Sequence, residues 1–228
     1  MNKFHIFLYL LLSTITYGQD EPIINSMFSE ESQYLFKRFQ NGTIVFDNNS
    51  VIEAKLNYNV ICEEMHFLDK GNIIKSLANK NIVSVKTYQY LFYYINESFY
   101  LVIYQNSGIE LLQQFKPILK NTEENTGAYG TSVASSTNTS IKSIRVGTKY
   151  SDEMVDVVVK PEDQIKIKSK FFIRYNESFY EVTRKNLYKT FPDKETQLKE
   201  YLKSNRSNLS SKDDIIELLN YVIPQTIK

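Results

Sequence analysis

The chain has 228 residues, 42% of them hydrophobic, with 27 Lys and Arg against 26 Asp and Glu, 17 Tyr, 14 Phe, no Trp, one Cys and two His. So near-neutral a balance argues against a nucleic-acid partner, because phosphate backbones are held by clustered Lys and Arg. A single cysteine excludes an internal disulfide, so packing alone must hold the fold.

The chain opens MNKFHIFLYLLLSTITYG, one cation (Lys3) before the apolar run Phe4 to Leu12. Thr16 and Gly18 take the −3 and −1 places of a small-x-small cleavage site. This is the layout of a secretory signal peptide, residues 1–18, with a mature start at Gln19. The apolar run is about half the ~20 residues that a bilayer span needs, and no later run approaches that length, so export without a transmembrane segment is expected. The only cysteine, Cys62, lies far from that run, so a lipid anchor attached there is not expected. Removing residues 1–18 takes away Lys3 alone among the charges and leaves 210 residues, with 26 basic and 26 acidic side chains. That suffices for one domain with a real core, and gives no electrostatic reason to adhere to anionic lipid.

Residues 19–38 form a polar N-terminal segment, read over 19–34 as a tether or a short leading helix. From Phe39 the chain turns rich in Ile, Val, Phe and Tyr, broken by DNNS, DKGN and NKN. Asn, Asp and Gly accept turn geometries, so this stretch predicts a run of antiparallel strands over 39–120. Ala54, Leu56, Tyr58 and Val60 alternate with Glu53, Lys55, Asn57 and Asn59, the pattern of a half-buried strand with its polar set in solvent.

Asn-Glu-Ser-Phe-Tyr occurs twice, at 96–100 and 176–180, each copy between strand-like runs. Asparagine tolerates positive φ, so both copies predict hairpins closed by Asn-Glu-Ser, with the following Phe and Tyr restarting the pleat, one ring to each face. Residues 121–143, rich in Ser, Thr, Asn and Gly, carry too little apolar surface to order cheaply and read as a long loop. Its GAYGTS, Gly127 to Ser132, lacks the lysine and following helix of a phosphate-binding loop. A second strand set is expected over 144–185, then two short helices over 189–223. Pro192, Asp193 and Glu195 suit a first helical turn, and Leu198, Tyr201 and Leu202 make its apolar stripe. Ser211 with Asp214 resembles a capping box before Ile215, Ile216, Leu218, Leu219 and Val222. The fold class is therefore α+β, a single domain over 39–228, mainly antiparallel sheet built of hairpins with a C-terminal pair of short α-helices.

Candidate chemistry is sparse. After the leader only His66 remains, which removes paired-histidine metal motifs. Cys62 and His66, read on one strand, would share a face but stand ~13 Å apart, beyond the reach a nucleophile and base require. Glu63 and Glu64, with Asp69 further on, read as solvated edge carboxylates rather than a glycosidase pair, whose members oppose each other across a cleft. No catalytic, metal or cofactor residue is assigned. The tyrosine-rich runs YQYLFYY and YLVIY read first as core filling and second as a sticky sheet face.

The motifs at Phe39–Gly42 (F-x-x-G), Leu56–Phe67 (LNYN…EMHF), Leu77–Val85 (LANKNIVSV), Gly127–Ser132 (GAYGTS) and Leu187–Val222 resemble those of a secreted family of unknown function common in Bacteroidetes. The resemblance covers most of the mature chain and implies an envelope location, periplasmic or facing outward. The expected function is non-enzymatic, the binding of another envelope or secreted protein or of an envelope component. The alternative is a binder of a small apolar ligand or glycan on a tyrosine-rich sheet face.

Overall fold

The computed structural model describes residues 33–77, 81–121, 143–148, 151–158 and 163–223. Residues 1–18, expected as a leader, nearly all of 19–34, expected as a tether or short helix, most of the Ser/Thr-rich 121–143 segment with its GAYGTS, and the breaks around Asn79 and Pro161 lie outside the described residues.

Strands run in chain order as β1 (Gln40–Phe46), β2 (Val51–Asn59), β3 (Glu64–Leu68), β4 (Ile74–Ser76), β5 (Ile82–Thr87), β6 (Leu91–Ile95), β7 (Ser98–Asn106) and β8 (Ile109–Asn121). After them come β9 (Ser143–Thr148), β10 (Ser151–Val158), β11 (Asp163–Tyr175) and β12 (Ser178–Glu181). Ten form one antiparallel sheet in the order β12-β11-β8-β7-β6-β5-β1-β2-β3-β4, while β9 and β10 pair as a separate hairpin beside β4. The α+β class, a large antiparallel sheet followed by short helices, is the observed architecture.

The turns follow from local chemistry. Ile95 pairs with Ser98, and Tyr175 with Ser178, so each repeated hairpin is closed by Asn-Glu alone. Asn96 and Glu97 have φ of 49° and 59°, and Asn176 and Glu177 have 46° and 63°. Positive φ at both central residues is the turn whose twist matches that of the flanking strands. The expected third turn residue, serine, already belongs to the strand.

The two copies point their rings oppositely. Phe99 enters the main core and Tyr100 faces away from it, whereas Phe179 joins Tyr100 and Tyr180 lies opposite Ile173.

The sheet coils strongly. The Tyr58 ring on β2 lies 6.1 Å from that of Phe99 on β7 and 5.9 Å from that of Phe115 on β8. In a flat sheet four strand steps would part such rings by about 19 Å, so β1–β3 and β5–β8 roll around a shared core. Ile44, Leu56, Tyr58, Met65, Val85, Phe92 and Leu101 fill it. Gly42 permits the roll. A Cβ there would stand 2.5 Å from the Lys86 carbonyl oxygen and 2.9 Å from Leu56 Cδ1.

A second core lies between the β8–β11 ribbon and three helices, α1 (Arg184–Thr190), α2 (Glu195–Ser204) and α3 (Lys212–Val222). The expected pair gains a third member, α1, because the Thr183 side chain caps it by accepting from the Asn186 N–H at 3.2 Å. Pro192 opens a 3₁₀ turn leading into α2, and Ser211 caps α3. The read stripes are buried at Leu198, Leu202, Ile215, Leu218, Leu219 and Val222 against Leu111, Phe171 and Ile173.

Candidate functional site

The segment containing Cys62 and His66 is not one strand. Residues 60–63 turn the chain between β2 and β3, because Asn59 Oδ1 accepts from the Ile61 and Cys62 N–H groups at 3.0 and 3.1 Å and Glu63 takes a φ of 59°. Cys62 thus sits in a turn, and the reading of it on a strand with His66 is corrected. Burial, and then the nearby Glu64 charge, push its thiol up to about 12, so at neutral pH it is neither a thiolate nor poised to become one.

The polar face of β2 departs from expectation as well. Asn57 and Asn59 are buried instead of solvated, because residues 33–36 of the polar N-terminal segment lie against them. Asn57 Oδ1 accepts from Phe36 N–H at 3.1 Å and its Nδ2 donates to the Phe36 carbonyl at 2.8 Å, while Asn59 Nδ2 donates to Gln33. Backbone bonds from Leu35 to Tyr58 and from Val60 to Gln33 complete the docking. Both asparagine amides have found partners, as interior polar groups generally do.

His66, with 0% of its surface exposed, pairs across the sheet with Asn57 and belongs to the same polar layer. Its Nδ1 lies 2.9 Å from the Tyr34 hydroxyl and its Nε2 lies 3.1 Å from Glu64 Oε2. A carboxylate only accepts, so Nε2 donates to it, and in the uncharged ring Nδ1 accepts from Tyr34. Ser76 Oγ donates to the same Glu64 oxygen at 3.1 Å. Glu64 is therefore a network member, not the solvated edge residue expected. Glu63 pairs with Lys116 at 2.5 Å, and the two carboxylates serve separate partners. Asp69 caps the β3–β4 turn, where the Ile73 and Gly71 N–H groups hold its carboxyl below the ordinary range. The Tyr34–His66–Glu64 chain has the bonding order of a proton relay, but among the described residues the imidazole has none of its surface exposed.

Tyrosines divide between core and surface. Tyr58 and Tyr100 are buried, the latter edge-on to Phe172 and Phe179 with centroids 5.0 and 4.9 Å away. The Arg174 guanidinium lies 3.8 Å over the Tyr93 ring and pairs with Glu110, which also accepts from the Tyr93 hydroxyl. That ring face is therefore occupied by the protein itself.

A concavity of about 870 Å³ opens where the β7–β8 and β11–β12 turns meet the helices. Its apolar walls include Ile109, Phe191, Pro192 and Ile223, and its polar wall includes Ser178, Tyr180 and Lys189. Ser178 and Tyr180 share a face of β12 as i and i+2 neighbours. Lys189 reaches them from the last turn of α1, its ammonium 4.4 Å over the Tyr180 ring. The Lys189 ammonium beside it, and then Ser178, hold the Tyr180 phenol below its ordinary value. The sequence signalled this site only weakly, through a serine and a tyrosine two residues apart on one strand and one helix-terminal lysine. Among the described residues no cluster of His, Cys, Asp and Glu is arranged to hold a metal ion, and no helix is long and apolar enough to cross a membrane. Comparison with family models, curated proteins and solved structures gave no match.

Proposed function

We propose that this chain is a non-enzymatic, exported binding module of the cell envelope, engaging its target through the groove between the β11–β12 hairpin and the helical tail. The observation that carries this reading is the contrast between the two places where reactive side chains collect. His66 is locked in the interior with both ring nitrogens bonded. The groove, in turn, presents hydroxyl, phenol and ammonium groups beside apolar walls, within the range of about 300–1,000 Å³ usual for ligand sites. Export rests on the leader-like residues 1–18.

The test is retention of an envelope component by the purified mature chain, compared with a Tyr180→Ala/Lys189→Ala variant. Retention by the first and loss by the second is expected. Turnover in a broad hydrolase screen, abolished by His66→Ala, would overturn the reading.

A further inference from the structure

We propose that the groove selects a small amphipathic anion, an alkyl chain bearing a carboxylate or phosphate head, with the head against Ser178, Tyr180 and Lys189 and the chain along Ile109, Phe191 and Ile223. This deepens the proposed function and rests on it.

The groove is chemically two-sided. Ile109, Phe191 and Ile223 belong to the second core and show their edges to the opening. An alkyl chain laid there removes apolar area from water on both partners, worth roughly 25 cal/mol per Å². A sugar ring has no alkyl chain to lay there, and the Tyr93 face that would stack on one is covered by Arg174. On the other wall stand two hydroxyls and an ammonium. With a Tyr180 phenol already polarised by Lys189, they form a donor set suited to an acceptor-only anionic head, the charge-assisted hydrogen bonds being the strong ones. The charged residues lining the groove are Lys189, Lys194 and Asp193, so cations prevail two to one. The neighbouring cleft along Gln105, Asn106, Glu110 and Arg174 differs, because its guanidinium is already neutralised by Glu110.

The test is calorimetric titration of the mature chain with octanoate and octyl phosphate, with 1-octanol and inorganic phosphate as the separate halves of the ligand. Saturable binding of at least one anion is expected, with each half-ligand at least about ten-fold weaker, as loss of a charged hydrogen bond or of the apolar body implies. Lys189 is exposed, so Lys189→Gln should leave the melting temperature unaltered while weakening the anion about ten-fold, and Lys189→Arg should restore it. Octanol binding as tightly as octanoate, or Lys189→Gln binding like wild type, overturns the assignment. Should neither anion bind while the wild type still retains an envelope component, this inference falls and the wider reading stands. Loss of both removes both.

Discussion

The Tyr34 hydroxyl lies 2.9 Å from His66 Nδ1, joining the start of the described chain to a strand 32 residues later. With the Asn57 and Asn59 amides, this bond makes the residues before β1 part of the sheet's interior. Replacing Tyr34 by Phe keeps the ring packing and leaves Nδ1 without this donor, a cost of about 1–2 kcal/mol. Urea unfolding measures it. A neutral Tyr34→Phe would mean that the segment is held by its apolar residues Leu35 and Phe36 alone.

Tyr58 is the opposite case. Its hydroxyl is buried and has no hydrogen-bond partner among the described residues, and burial drives its phenol far above the ordinary range. An unmade hydrogen bond of this kind costs stability. Tyr58→Phe should therefore be neutral or stabilising by about 1 kcal/mol in the same assay, with the ring contacts to Phe92, Phe99 and Phe115 kept. A loss above 1 kcal/mol would show that the hydroxyl is bonded after all.

The paired turns offer a backbone test. Glu97 and Glu177 hold φ near 60° with a Cβ attached, a conformation that costs about 1 kcal/mol relative to glycine. Glu97→Gly and Glu177→Gly should each stabilise by about 0.5–1 kcal/mol, additively because the sites are well separated in sequence and hairpin. Thermal unfolding that moved down in both variants would refute the turn assignment.

Cys62 adds a pH dependence. Burial, and then the Glu64 charge, push its thiol up to about 12, above the ordinary thiol value of 9.0. Below about 9 both states keep the proton and the contribution to stability is complete. As pH rises from 9 towards 12 the unfolded chain releases its proton first, so stability falls across that window. Denaturation midpoints should be level from pH 6 to 8 and decline above 9, with a shallower decline in Cys62→Ala. Native alkylation at pH 8 should be at least about 100-fold slower than in urea, since the attacking species is the thiolate. Equal rates would contradict the burial.

Much of this architecture is legible in the chain itself. Alternation marked β2, the Asp47 to Ser50 and Asp69 to Asn72 breaks became turns, and the Ser211 cap and the Leu198, Leu202 and Ile215 to Val222 stripes fell on α2 and α3. The misplacements have two causes. Asn57, Asn59 and Glu64 looked like solvent-facing residues because a strand's sequence does not show what lies across its polar face. Cys62 looked strand-borne because the Asn59 side chain, rather than a Gly or Pro, makes the turn.

By itself, then, the sequence determined the strand runs, the Ser211 cap and the place of the twice-used hairpin corner, since each depends on bonds and dihedrals within a few residues. Tertiary structure alone decided that His66 is buried beneath Tyr34 and that Ser178, Tyr180 and Lys189 share a groove. Both outcomes depend on which distant segments meet. That is fixed by the coiling of the whole sheet and the docking of the helices, and it leaves no periodic trace in the chain.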